Sequence, residues 1–133
     1  MKFFVQTKGL NDIIDITSQV VQEVKIAKIK EGFCLVFSPG STCGITTIEY
    51  EPNLIEDFKE FLEKLAPSDK KYHHDETWGD RNGFSHIRSA LIKPFLAVPI
   101  EQGKLILGTW QQIVLIDFDN RPRQREVVVK VMG

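Results

Sequence analysis

No stretch of this 133-residue sequence approaches the run of roughly 18 apolar residues that a membrane-spanning helix needs. Cysteine is scarce: Cys34 and Cys43 are the only two, and their spacing matches no metal-ligand pattern. That argues against a disulfide framework and points to a reducing compartment, the cytoplasm by default. An excess of charge of one sign is missing too, because 17 Lys+Arg stand against 18 Asp+Glu for a net charge of -1. A nucleic-acid binder that relies on bulk phosphate attraction is therefore disfavoured. There is no P-loop, Rossmann glycine pattern, CxxC or GxSxG, which disfavours nucleotide-driven motors, nicotinamide enzymes and common serine hydrolases. The opening MKFFVQTKG turns polar too early for a secretory signal and reads as a first strand.

What is present fits one globular domain over residues 1–133, long enough to bury a core without staples. No repeat or linker divides it. Strands are expected at residues 3–7, 33–37, 44–50, 96–100, 104–107, 111–118 and 126–132, where apolar, β-branched or alternating runs lie between turn signals. One helix is expected after Asp15, with Thr17 as N-cap and Val20, Val21 and Val24 on one face. A second runs from Asn53 to about Leu65, with Asn53 and Glu56 forming a capping box and Pro67 stopping it. Residues 71–85 (KYHHDETWGDRNGFS) show no periodicity and read as a long irregular loop. The expected class is α+β: a strand-dominated mixed α/β sandwich with two main helices.

His73, His74 and His86 are the only histidines and cluster in or beside that loop, with Asp75 and Asp80 close by. Imidazole and carboxylate together can bind a divalent metal or exchange protons near neutral pH. Ser41 and Thr42 sit in a glycine-containing turn whose hydroxyls and N–H groups suit a phosphate, and Glu49 ends the following strand. Thr109, Trp110 and Gln111 form a polar–aromatic corner able to line a pocket for a flat heterocycle. Arg81, Arg88, Arg121, Arg123 and Arg125 supply positive charge for a phosphorylated ligand, the last three alternating on one face of a strand. A solvated basic stripe explains those three equally well.

Residues 38–49 (SPGSTCGITTIE), Tyr72-His-His-Asp, Gly83-Phe-Ser-His-Ile-Arg, Pro99, Gly103 and LGTWQQIVLIDFD together resemble the YjbQ-like family along almost the whole chain. That resemblance implies a small mixed α/β sandwich, assembled as a trimer, with a pocket near subunit boundaries. It also implies secondary thiamine-phosphate synthase activity, a side reaction joining a hydroxymethylpyrimidine diphosphate to a thiazole phosphate with release of pyrophosphate. Carried over by position, Glu49, His74 and His86 become the catalytic residues. Ser41, Thr42, Arg88, Thr109, Trp110, Gln111 and Arg123 become the substrate-binding set. His74, His86 and Asp75 become ligands of a divalent ion, zinc or magnesium. Many members carry histidine where this chain has Gly40 and Phe84. Two other readings stand beside this one: a metal-dependent hydrolase or isomerase of a small phosphorylated metabolite, and a non-enzymatic ligand-binding or assembly protein.

Overall fold

The computed structural model describes residues 1–133. Its elements run β1 (Lys2–Thr7), β2 (Asp12–Asp15), α1 (Thr17–Ala27), β3 (Gly32–Phe37), β4 (Cys43–Ile48), α2 (Pro52–Leu65), α3 (His73–Trp78), α4 (Gly83–Ile92), β5 (Phe95–Glu101), β6 (Lys104–Leu105), β7 (Gln112–Asp117) and β8 (Arg123–Met132). The strands form two antiparallel sheets, a five-stranded one in the order β1-β8-β3-β5-β6 and a three-stranded one in the order β2-β7-β4.

Alternation along β7 shows how the layers stack. Ile113 and Leu115 belong to the main core, with Val20 and Val24 of α1, Cys34 and Val36 of β3, and Val127 and Val129 of β8. Val114 and Ile116 point the other way, into a second cluster with Leu62 of α2 and Phe118. Successive side chains of a strand face opposite sides, so β7 has both faces covered and reads as an unbroken apolar run. The molecule is thus an α+β sandwich dominated by strands, with α2 and α4 against the outer face of the small sheet and α1 packed into the main core. No helix is long and apolar enough to cross a membrane.

Three local expectations are corrected. Thr17 is the first helical residue, with Ile16 at the cap position. Its hydroxyl donates to Asp15 Oδ1 (2.6 Å) and accepts from the Ile113 N–H (2.8 Å), pinning the helix start to β7. The second helix begins earlier than expected because Pro52, which has no N–H to lose, opens it and Glu51 caps it. The Glu51 carboxylate accepts from the N–H groups of Asn53 (2.9 Å) and Leu54 (2.8 Å), so Asn53 and Glu56 form no box.

The third correction concerns residues 71–85, which hold α3 and the start of α4 where an irregular loop was expected. A six-residue helix is too short to display a 3.6-residue repeat. In α4 the buried face is Phe84, Ser85, Arg88 and Ser89, while Ile87 and Leu91 are exposed. Polar residues inward and apolar residues outward hide its amphipathicity.

Candidate functional site

On β8 the inward face changes character, from Val127 and Val129 in the core to Arg125 and Arg123 at the strand's beginning. Opposite them lie Asp117, which ends β7, and Asp119, both 0% exposed. Arg125 makes a two-pronged pair with Asp117, Nε to Oδ2 at 3.0 Å and Nη2 to Oδ1 at 2.8 Å. Arg123 grips Asp119 Oδ2 through Nε (3.0 Å) and Nη2 (2.7 Å). Thr7 of β1 donates its hydroxyl to Asp117, while Thr42 donates to Asp119 (3.1 Å) and accepts from Arg125 Nη2 (2.7 Å). One end of the sandwich is therefore closed by two aspartates and two arginines whose charges offset one another. Two donors on one carboxylate, spread over both oxygens for Arg125 and converging on one for Arg123, fix each guanidinium in orientation.

Neither aspartate was singled out from the sequence. The signal was there: Asp-x-Asp closes one strand and Arg-x-Arg opens the next, so each pair projects to one side. Arg121, grouped with the other two in the sequence reading, lies in an exposed bend before β8.

Burial alone would raise the Asp119 carboxyl. Hydrogen bonds from Arg123, from the Asn120 N–H and from Asn82, with the charge of Arg123, outweigh it and hold the group below the ordinary carboxylate range. A pKa depressed by folding stabilises the protein above the unfolded value, and that contribution disappears as pH falls through the folded one. In acid-unfolding curves, Asp119→Asn is expected to flatten the steep loss of stability below about pH 4. An unchanged acid slope in the variant would remove Asp119 from this linkage.

Above the charged floor lies a cavity of about 420 Å³ lined by Gly40, Ser41 and Thr42 on one side and His74, Trp78 and His86 on the other. Asn82, Asp80 and the two arginines complete its wall. The rings of His74 on α3 and His86 on α4 stand 4.4 Å apart between centroids, tilted by 43°. Burial and then the neighbouring His74 push the pKa of His86 below the ordinary imidazole value, which favours the neutral ring at pH 7. Two buried polar atoms, His74 Nδ1 and Asn82 Oδ1, have no hydrogen-bond partner. Unpaired buried polar groups are rare in folded proteins, and two beside one cavity mark it as the leading candidate site.

The residues expected to act together are divided by the fold. Ser41, Thr42, His74, His86 and Arg123 do converge on this cavity. Glu49 and Trp110 line a different hollow of about 490 Å³, with Asp15, Tyr50 and Glu51. Thr42 precedes β4 and Glu49 follows it, so they are separated by roughly 20 Å at about 3.3 Å of rise per residue. Gln111 holds its own turn, accepting from the Gly108 N–H (2.8 Å) and donating to Thr47 (3.1 Å), and Thr109 is exposed beside it.

Arg88 is drawn away altogether. It is 0% exposed and donates to the Ala66 carbonyl, to Asn11 Oδ1 and to Glu63 Oε2. Those bonds make it a clamp between α4, the end of α2 and the β1–β2 turn, with no face toward the cavity. Asp75 is equally occupied: its two oxygens accept from the N–H groups of Tyr72 (2.9 Å) and Gly83 (3.1 Å). Its side chain faces a separate polar hollow with Ser68, Lys70 and Arg81.

The donor set bears on a metal in the same way. No group of three or more His, Cys, Asp or Glu side chains is placed to hold one. The histidine pair offers two of the three protein ligands that a catalytic zinc takes, and none of the oxygens that magnesium prefers. Gly40 does border the cavity, and a Cβ there would stand 2.9 Å from Cys43 Sγ and 3.1 Å from Arg125 Nη1. Its bareness leaves room for the guanidinium. Phe84, by contrast, is buried with its ring 4.9 Å from the Arg88 guanidinium carbon and takes no part in the cavity.

Comparison with known proteins extends over the full length. A UPF0047 protein of Archaeoglobus fulgidus is 41% identical over 132 residues, spanning 99% of this chain and 100% of that protein. The Bacillus subtilis protein YugU is 32% identical over 130 residues, covering 97% and 96% of the two chains. Among solved structures, a YbjQ-like protein of Sulfolobus solfataricus superposes with a TM-score of 0.95 at 31% identity, over 100% of this chain and 95% of that one. A Clostridium acetobutylicum structure gives 0.91 at 35% identity over 99% of each chain. The family model described as "UPF0047 protein YjbQ-like" matches residues 1–133, and the chain belongs to that family.

Proposed function

We propose that the cavity between the arginine pair and the histidine pair binds a small phosphorylated metabolite and catalyses group transfer from it. The reaction would be of the thiamine-phosphate synthase kind that the family resemblance implies. The observation that carries this reading is the convergence, in one 420 Å³ cavity, of an unpaired imidazole nitrogen, a hydroxyl-bearing turn and the part-exposed guanidinium of Arg123, held in orientation by Asp119. Such a constellation recognises phosphate oxygens.

In this reading Arg123, about one third exposed, and the Ser41 hydroxyl hold the diphosphate of the pyrimidine substrate. Neutral His86 donates an N–H hydrogen bond to it, which stabilises charge as it builds on the departing oxygen. The bond between methylene carbon and oxygen breaks and its electron pair leaves with pyrophosphate. The thiazole nitrogen supplies its lone pair to that carbon, and the positive charge ends on the thiazolium ring. Trimer assembly belongs to the same reading. It is supported by Phe4, Phe33 and Phe95, which are roughly half exposed on the outer face of the large sheet.

The test is thiamine-phosphate formation by purified protein supplied with both substrates, with and without chelator. His86→Ala is expected to lower turnover at least about 100-fold while the circular dichroism spectrum is retained. A folded parent that makes no product under any metal condition would discard the synthase reading.

A further inference from the structure

Trp78 is the one hydrophobic residue lining the candidate cavity, and it is 75% exposed. It contributes nothing to the core, since α3 buries none of its residues. Its place on the helix is not idle. Residues four apart share a helical face, so Trp78 stands one turn beyond His74 and both border the same cavity. The helix ends immediately afterwards at Gly79, in the left-handed conformation (φ 73°), with nothing within 4 Å of where its Cβ would lie. The indole is therefore left with an open flank beside an otherwise polar hollow.

An indole face in such a place offers one thing the other residues cannot, a flat apolar surface for another ring. Across the cavity stand the donors suited to an anion, Arg123 and the Ser41 hydroxyl. The unpaired Asn82 Oδ1, on a residue only 5% exposed, adds an acceptor that lacks a donor. We propose that Trp78 is a specificity residue on which a planar heteroaromatic ring stacks. The ligand class is then a ring bearing both a phosphate and a hydrogen-bond donor, with its phosphate held by Arg123 and Ser41. Trp110, the ring platform expected from the sequence, borders a different hollow. This inference rests on the reading that the cavity takes phosphorylated metabolites, whose pyrimidine diphosphate already carries such a ring, and adds the residue that reads it.

The test uses calorimetry on the full chain with three probes: cytidine 5′-monophosphate, cytidine and inorganic phosphate. Base–aromatic stacking contributes roughly 1–3 kcal/mol, so Trp78→Ala is expected to weaken the nucleotide about 5- to 150-fold. Inorganic phosphate affinity should stay within about twofold in the same variant, and Trp78→Phe should recover most of the nucleotide binding. Unchanged nucleotide affinity in Trp78→Ala would overturn the assignment. So would an equal loss of nucleotide and phosphate, because that would make Trp78 structural. A parent that binds phosphate but holds the nucleotide no tighter would likewise overturn the ring inference and leave the phosphate reading standing. A parent that binds neither phosphate nor nucleotide would overturn both.

Discussion

Arg88→Met is expected to lower the unfolding free energy by about 3–5 kcal/mol, a large share of the stability of a domain this size. The guanidinium is fully buried, and its removal strands the Ala66 carbonyl, which accepts two of its bonds (3.1 and 2.7 Å), and Asn11 Oδ1 (2.8 Å). Each orphaned buried acceptor costs about 1–3 kcal/mol. Methionine fills part of the volume and none of the bonding. The ion-pair partner should matter less. Glu63 is 45% exposed on its side chain and glutamine keeps an acceptor oxygen for the guanidinium, so Glu63→Gln is expected to cost about 1–3 kcal/mol, less than the loss of Arg88 itself. Urea denaturation of the three proteins separates the two contributions. A loss below about 1 kcal/mol for Arg88→Met would mean that α2 and α4 hold together without the clamp.

Asp117→Asn is expected to be comparably damaging, at about 3–5 kcal/mol, for a different reason. It removes the only close counter-charge of Arg125, whose side chain is 11% exposed, and leaves Asp119 at 3.9 Å as the nearest carboxylate. A cation in a nearly dry site without its counter-charge is costly in a way that a missing pair is not. The double variant Asp117→Asn, Arg125→Met should therefore be more stable than the sum of its parts, with a coupling of about 0.5–3 kcal/mol. Additive losses in the thermodynamic cycle would show that the two groups do not act as a unit.

The same two arginine systems explain where sequence reading succeeded and where it stopped. The apolar runs of β7 and β8 and the apolar spacing of α2 announced themselves, because pattern and burial agree there. α4 did not, because its inward stripe is built from serine, arginine and one phenylalanine. An arginine clamped in the interior is the same letter as one reaching for phosphate, so Arg88 was assigned to a ligand it does not face. β2, with four residues, was too short to stand out. For the site, His74, His86, Ser41, Thr42 and Arg123 were found by chemistry and do meet. Glu49, Asp75 and Trp110 join them through the family resemblance, which is carried by motifs along the chain and does not say which end of a strand a residue occupies.

β7 has a consequence for how the cavity opens. The floor beneath it hangs on this strand, which is covered on both faces and cannot part from its neighbours without disrupting both apolar clusters. The roof is α3, six residues none of which is fully buried, held by the bonds of Asp75 to its two flanking amides and by the contact of His74 with His86. Local unfolding draws on the least buried segments first, so α3 can melt and re-form many times for each global unfolding event. His74 and Trp78 would leave and return with it, while Arg123 and Arg125 stay in place. The arginine side of the cavity is then a permanent fixture, and the helix side a wall that is rebuilt each time α3 re-forms.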